Sequence, residues 1–273
     1  MEIVFATNQD AVALYRSLPA LFRQEARVLL INDRLEVRPE TPAATADFAK
    51  LLARFIIETF EKKWLNEIIE NYYFFTDSEE RLAIIGILTA IFAGEKNDLP
   101  GAETLPDRRQ VIIDALDGLL LNQSRFTFES VLCFRLASYR DVLRRYIEVA
   151  IDEYKLEQEY QVFVDKLRRI IRSYKPLCDK IEVYDDHPFR IYDDHQRLIR
   201  NEQSVRSFYP LLKQWGIEAE PSIVLTLIAL APRQVIIYTD RPQHSMMKTL
   251  YRVFEERVCF LPISCHREEQ NLS

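Results

Sequence analysis

The spacing of apolar positions changes twice along the chain. From residue 43 to about residue 175 they recur at three- and four-residue steps, which places them on one face of a helix. Before and after that stretch they alternate or come in short runs bounded by turn residues, as strands do. The pattern predicts an α+β protein: a central helical region with small α/β segments at both ends. The boundaries fall at 1–40, 41–175 and 176–273.

In the first segment Glu2 to Ala6 is a short strand. Asn8 caps a helix that runs to about Gln24 and is interrupted near Pro19. Val28 to Ile31 and Arg34 to Val37 flank Asn32-Asp33, which suggests a β-hairpin. The stretch from Pro39 to Pro42 ends this unit, and Thr45 or Asp47 starts the first central helix. Its apolar face carries Phe48, Leu51, Leu52, Phe55, Ile56, Phe60 and Ile68. Asp77-Ser78-Glu79-Glu80 is a capping-box pattern, and Gly94 suits the residue after a helix end. Asp107 with Gln110 repeats the start signal after a loop from Asn97 to Pro106. Ser138 to about Tyr174 reads as one long helix or two joined end to end.

Beyond Pro176, Ile181 to Tyr184 and Phe189 to Tyr192 form a second hairpin. Ser222 caps a short apolar helix that Pro232 stops. Val235 to Tyr238, a helix from Met246 to Glu255 and Val258 to Leu261 have the order of a βαβ crossover with parallel strands. The two ends share one sheet or form two; the pattern allows both.

Composition narrows the function classes. The 273 residues are 48% hydrophobic and 29% charged, and Phe and Tyr are plentiful, so a packed core is expected. A net charge of −6 argues against a dedicated nucleic-acid binder, because phosphate contacts need cations. The N-terminus has no basic, apolar leader, and no window approaches the ~20 apolar residues of a span. The expectation is a cytoplasmic protein. Cys133, Cys178, Cys259 and Cys265 form no Cys-x-x-Cys pair and read as small buried hydrophobes or free thiols.

A run of residues then becomes familiar. Phe134-Arg135-Leu136-Ala137-Ser138-Tyr139 is followed by Asp152-Glu153-Tyr154 and by Glu159-Tyr160-Gln161-Val162-Phe163. Further on come Thr226 to Pro232 and Phe254-Glu255-Glu256-Arg257-Val258. Over residues 126 to 260 this order resembles the YtxC-like family of sporulation proteins. The resemblance implies a protein of spore-forming bacteria and supplies no catalytic residues. Relatives can carry cysteines near the C-terminus; here Cys259, Cys265 and His266 lack a paired spacing.

Candidate chemistry is sparse. Tyr184-Asp185-Asp186-His187 recurs as Tyr192-Asp193-Asp194-His195, but across an intervening strand the two sets lie roughly 13 Å apart, too far for one metal ion. Asp-rich turns account for the repeat. Asp152, Glu153, Glu157 and Glu159 form an acidic stretch on the long helix that reads first as a solvated face; contact with Arg135 or Tyr139 would make it a structural polar network. Lys166, Arg168, Arg169, Arg172 and Lys175 end that helix as cations that complement its dipole. Tyr72-Tyr73-Phe74-Phe75 cannot all face one core; packing between helices is the first reading, and one or two of them at an interdomain or partner surface is the alternative. No phosphate-binding glycine motif, Walker A, zinc-protease or hydrolase-elbow motif is present.

These features favour a non-enzymatic protein that contacts another protein, with self-association as one form of that contact. Arg135, Tyr139, Glu153, Glu157, Tyr72 and Tyr73 are the candidate surface residues. No catalytic, cofactor or metal residue is assigned. The other two readings are an enzyme with a carboxylate site on the acidic helix and a weak nucleic-acid binder using the basic helix end.

Overall fold

The computed structural model of the chain describes residues 1–122, 124–173, 175–186, 188–199, 213 and 222–264. It is α+β, and it divides into two compact units, Met1–Leu156 and Glu157–Ser273.

In the first unit β1 (Glu2–Val4) leads to α1 (Asn8–Ser17) and α2 (Ala20–Glu25), which Pro19 separates. The cap of α1 is Thr7 rather than Asn8: its hydroxyl accepts from the Asp10 amide at 3.2 Å. The hairpin forms from β2 (Leu29–Ile31) and β3 (Arg34–Glu36), with Ile31 opposite Arg34. Asn32 takes φ +53 in its turn, a conformation Asn tolerates.

Helix α3 (Pro42–Ile56) begins earlier than the composition suggested. Thr41 is its cap and Pro42 occupies the first turn, where a missing N–H costs nothing. A π-helical turn, Ile57–Glu61, joins α3 to α4 (Lys62–Asn71). Asp77 caps α5 (Ser78–Ala93) through the Glu79 and Glu80 amides, and Gly94 ends it at φ +78. The 97–106 loop contains a short 3-10 turn, Ala102–Thr104. Then follow α6 (Arg108–Asn122), β4 (Arg125–Thr127), α7 (Phe128–Ser130) and a second π-helical turn, Val131–Arg135. Helix α8 (Ala137–Ser173) is a single long helix; its first part belongs to the first unit and its last part to the second.

The first sheet has the order β2-β3-β1-β4, with β1 antiparallel to β3 and parallel to β4. Leu30, Leu35, Ile3 and Phe126 lie in one row across it, on the face turned to the core. Phe48, Leu52 and Ile56 of α3 and Ile112 and Leu116 of α6 fill that core. Phe128 sits among Phe5, Phe55 and Phe60, with ring centroids 4.9 to 6.1 Å apart.

The second unit holds the sheet β7-β6-β5-β8-β9: β5 (Lys180–Tyr184), β6 (Arg190–Asp193), β7 (Leu198–Ile199), β8 (Gln234–Tyr238) and β9 (Val258–Leu261). The chain's two ends therefore form two sheets. Strands β5, β8 and β9 are parallel, and β6 pairs antiparallel with β5 as the expected hairpin. Helix α9 (Ile223–Leu230) is capped by Ser222 and stops at Ala231 before Pro232. Helix α10 (Ser245–Phe254) connects β8 to β9. Val164, Leu167 and Ile171 of α8 pack with Val183, Ile237, Leu227 and Leu250 as this unit's core.

Candidate functional site

The loop between α4 and α5 carries the four consecutive aromatics. Tyr72 and Phe74 are exposed, at 55% and 78%, while Tyr73 and Phe75 are half-buried. The inward pair is anchored. The Tyr73 hydroxyl donates to Glu148 Oε1 at 2.9 Å, and the Phe75 ring meets Tyr154 edge-on at 6.1 Å. The loop backbone is also held. Arg81 Nη1 donates to the Phe75 and Thr76 carbonyls at 3.2 and 2.6 Å, and the Phe75 amide donates to the Ile69 carbonyl.

Phe74 itself has φ +61. It lies two residues past the C-cap of α4, in a conformation that glycine or asparagine takes more readily. A left-handed backbone costs an ordinary residue about 1–2 kcal/mol. Here that cost holds a large apolar ring in water, with no burial to offset it. Tyr72 beside it is covered on one side by the Arg144 guanidinium, 4.8 Å from its ring. The result is a rigid loop that presents two aromatic side chains.

A second cluster lies inside the same unit. The first π-helical turn carries Glu61, which is 6% exposed. Arg108, at the start of α6, donates through Nη1 to both Glu61 oxygens at 2.5 and 2.6 Å. The Tyr139 hydroxyl also donates to Glu61 Oε2. Burial, reinforced by the Glu61 carboxylate, holds the Tyr139 phenol well above its ordinary pKa. The Arg108 guanidinium stacks on Phe92 at 4.0 Å, and the Trp64 ring, 6.2 Å from Tyr139, lies under Arg140. Arg108 and Tyr139 both donate to the one carboxylate, which makes this a buried ion-pair network, while Arg140 Nε beside it is buried with no hydrogen-bond partner among the described residues.

A profile of the YtxC-like family matches residues 46–259. The protein from Bacillus subtilis (strain 168) named Uncharacterized protein YtxC is 30% identical over 269 residues, which is 96% of this chain and 94% of that one. The chain belongs to the YtxC-like family. The resemblance read from the motifs after residue 126 is thus borne out, and it extends further toward the N-terminus than those motifs did. No solved structure matches.

The stretch matched to the YtxC-like family includes the aromatic loop, the Glu61 cluster and all the candidate surface residues. The structure separates those candidates. Tyr72 and Tyr73 meet at 4.9 Å. Tyr139 is fully buried on Glu61, so it belongs to no surface. Its hydroxyl is bonded to Glu61 of the first π-helical turn and, among the described residues, to none of the carboxylates of its own helix. Arg135 is exposed in the second π-helical turn beside Phe134, which is 80% exposed. Glu153 is half-buried and accepts from Lys96 Nζ at 2.6 Å. Asp152, Glu157 and Glu159 are exposed on α8.

In the second unit the repeated tetrapeptide divides its aspartates among separate tasks. Asp185, at the end of β5, accepts from Thr239 Oγ1 at 2.6 Å and from Arg241 Nη2 at 2.9 Å. Asp186 pairs with Arg190. Asp193 accepts from the His195 and Arg197 amides and from Arg197 Nε, a closed turn. Its pKa is held low by those bonds, the Arg197 amide first. His187, Cys265 and His266 lie outside the described residues. Among the described residues no group of three or more His, Cys, Asp and Glu is placed to hold a metal ion. Cys133 and Cys259 are exposed, and burial raises the Cys178 thiol pKa.

The basic end of α8 is partly committed. Arg168 donates to the Arg252 carbonyl at 2.7 Å and pairs with Asp165 and Glu255, and Arg172 pairs with Glu255 at 3.0 Å. Sequence reasoning missed Glu61, Arg108 and the strain at Phe74. One signal existed for Glu61: it stands four residues from both Ile57 and Leu65, a lone carboxylate in an apolar stripe. No helix among the described residues is long and apolar enough to cross a membrane.

Proposed function

We propose that this chain is a non-enzymatic cytoplasmic protein of sporulating cells that acts by docking another protein through its aromatic loop, Tyr72 to Phe75. The observation that carries the reading is Phe74, held in a left-handed backbone with its ring 78% exposed. Backbone strain at an exposed ring is retained where it serves recognition. Preorganisation supports the same reading, because the loop is fastened by Arg81 and Tyr73 and little ordering remains to be done on binding. Aromatic anchors on a rigid surface are the usual centres of binding energy. The sporulation setting follows from the YtxC-like resemblance.

The carboxylate-enzyme reading has less support. Three of its four acids are exposed and the fourth is paired with Lys96. The nucleic-acid reading loses two of its five cations, Arg168 and Arg172, to Glu255 and Asp165.

The test is a pull-down from sporulating cells with the wild-type chain, Phe74→Gly and Tyr72→Ser. A partner retained by wild type and released by both variants supports the reading. Loss of an anchor worth about 2 kcal/mol weakens binding roughly thirtyfold. Identical capture by all three chains sinks it.

A further inference from the structure

The first unit contains a groove of about 350 Å³ between α3 and α6, and none of its lining residues belongs to the aromatic loop. Its floor is apolar: Ala53 is buried, and Ile57 and Ile113 are half-buried. Its rim carries three cations, Lys50, Arg54 and Arg109, and one carboxylate, Glu58. The first π-helical turn supplies Ile57 and Glu58 to this groove.

The rim cations are loosely held. Arg54 meets Glu58 at 3.6 Å and donates to the Ser17 carbonyl at 3.3 Å, and both members of the ion pair are more than half exposed. Lys50 pairs with Asp47 at 3.0 Å, also exposed. Such pairs are weak and exchange readily with another anion. The Arg109 guanidinium has no partner among the described residues, and it lies in the first turn of α6, where the helix dipole adds positive potential. An apolar floor with a few convergent charged groups is the usual make-up of a small-molecule site, and the volume lies at the small end of that class, about 300–1,000 Å³.

We propose that this groove binds a small amphipathic anion: a short apolar body with one carboxylate or phosphate head. The body lies on Ala53, Ile57 and Ile113. The head lies between Arg54 and Arg109, whose planar forks suit either oxyanion.

The experiment uses the full chain and three probes of one chain length: octyl phosphate, octanoate and octanol. Methyl NMR of Ile57 and Ile113 locates binding, and titration calorimetry measures it. Both isoleucines shift with at least one anion, and octanol binds at least about tenfold more weakly, because it forms no charge-assisted bond. Arg54→Gln with Arg109→Gln weakens the anion by at least about tenfold and leaves the melting temperature unchanged, as both side chains are on the exposed rim. Comparison of the two anions identifies the head group. Phe74→Gly leaves binding unaltered, which separates this site from the docking loop. The proposal is overturned by octanol binding as well as the anions, by a double variant that binds normally, or by no isoleucine shift at millimolar probe.

Discussion

Replacing Arg108 with methionine leaves the Glu61 carboxylate buried without its cation. In the native chain Glu61 is 6% exposed and takes two bonds from Arg108 and one from Tyr139. Methionine refills most of the volume beside Phe92, so cavity formation is a minor part of the effect. Removing one member of a buried pair costs about 3–5 kcal/mol. The surviving Tyr139 hydroxyl keeps the cost at the lower end, about 3–4 kcal/mol. At about 2–4 °C per kcal/mol for a chain of this size, the first unit melts roughly 6–16 °C lower. The assay is thermal and urea unfolding followed by Trp64 fluorescence in a Trp215→Phe background. Trp64 lies 6.2 Å from the Tyr139 ring, so it reports on this cluster. Adding Glu61→Gln to Arg108→Met removes the orphaned charge and keeps an acceptor for Tyr139. The double variant should then recover about 2 kcal/mol of the loss. A single variant within 0.5 kcal/mol of wild type (about the scatter of distant surface changes) or a double variant no more stable than the single would refute the buried-pair account.

Three further outcomes follow from the same structure. Burial, with a carboxylate neighbour, raises the phenol pKa of Tyr139, so the folded chain keeps this proton when the unfolded chain has lost it. Stability is therefore intact below about pH 10 and falls as pH rises above it; in urea titrations Tyr139→Phe reduces the slope by about 1.4 kcal/mol per pH unit. Glu182 and Asp193 act in the opposite direction. Burial alone would raise Glu182, but bonds from Lys180, Gln196 and Tyr184 outweigh it, and Asp193 is lowered by its turn. Their contribution is present above the ordinary carboxylate range and is lost as pH falls through their lowered values; Asp193→Asn should flatten that acid limb in amide exchange of the second sheet. Finally, Phe74→Gly relieves the left-handed strain and should stabilise the first unit by about 0.5–1 kcal/mol, whereas Phe74→Ala keeps the strain and should not. Melting curves of the two variants distinguish these.

The elements that could be read from the sequence were those whose signals are local. Asp77 and Gly94 bracket α5 because a short acceptor and a residue without a side chain satisfy helix ends wherever they occur. The parallel β8–β9 pair was legible because two apolar runs separated by an amphipathic helix allow few other arrangements. What escaped depends on distant partners. Strand β4 is three residues inside a helical stretch, and it exists because Phe126 completes the row formed by Ile3 and Leu35. Tyr139 looked like a surface residue because its own helix is amphipathic, yet its partner Glu61 is 78 positions away. The aromatic loop was legible as a conflict, since four adjacent rings cannot share a core. Which of them would be exposed was not, because the outcome turns on the Tyr73 bond to Glu148 and the left-handed Phe74.

Three departures from local rules in the first unit, the Ile57–Glu61 turn, the buried Glu61 and the left-handed Phe74, lie within eighteen residues of one another. A π-helical turn inserts extra backbone between α3 and α4, and such insertions persist in helices mainly where they serve a site. This one supplies both sides of the helix: Glu61 turns inward to Arg108, while Ile57 and Glu58 line the groove beside Arg109. Arg108 and Arg109 are adjacent on α6, one spent on the interior carboxylate and the other left at the rim. A regular helix would shift the register of these positions and could not present both faces in the same way. The strained Phe74 follows in the loop just past α4, the helix that the turn launches. A chain selected for stability alone would be expected to lose the buried charge, the inserted turn and the left-handed phenylalanine, since each has a cheaper replacement. Their joint presence is what the two proposals account for: the docking loop gives the strained Phe74 a use, and the anion groove gives one to the turn that lines it.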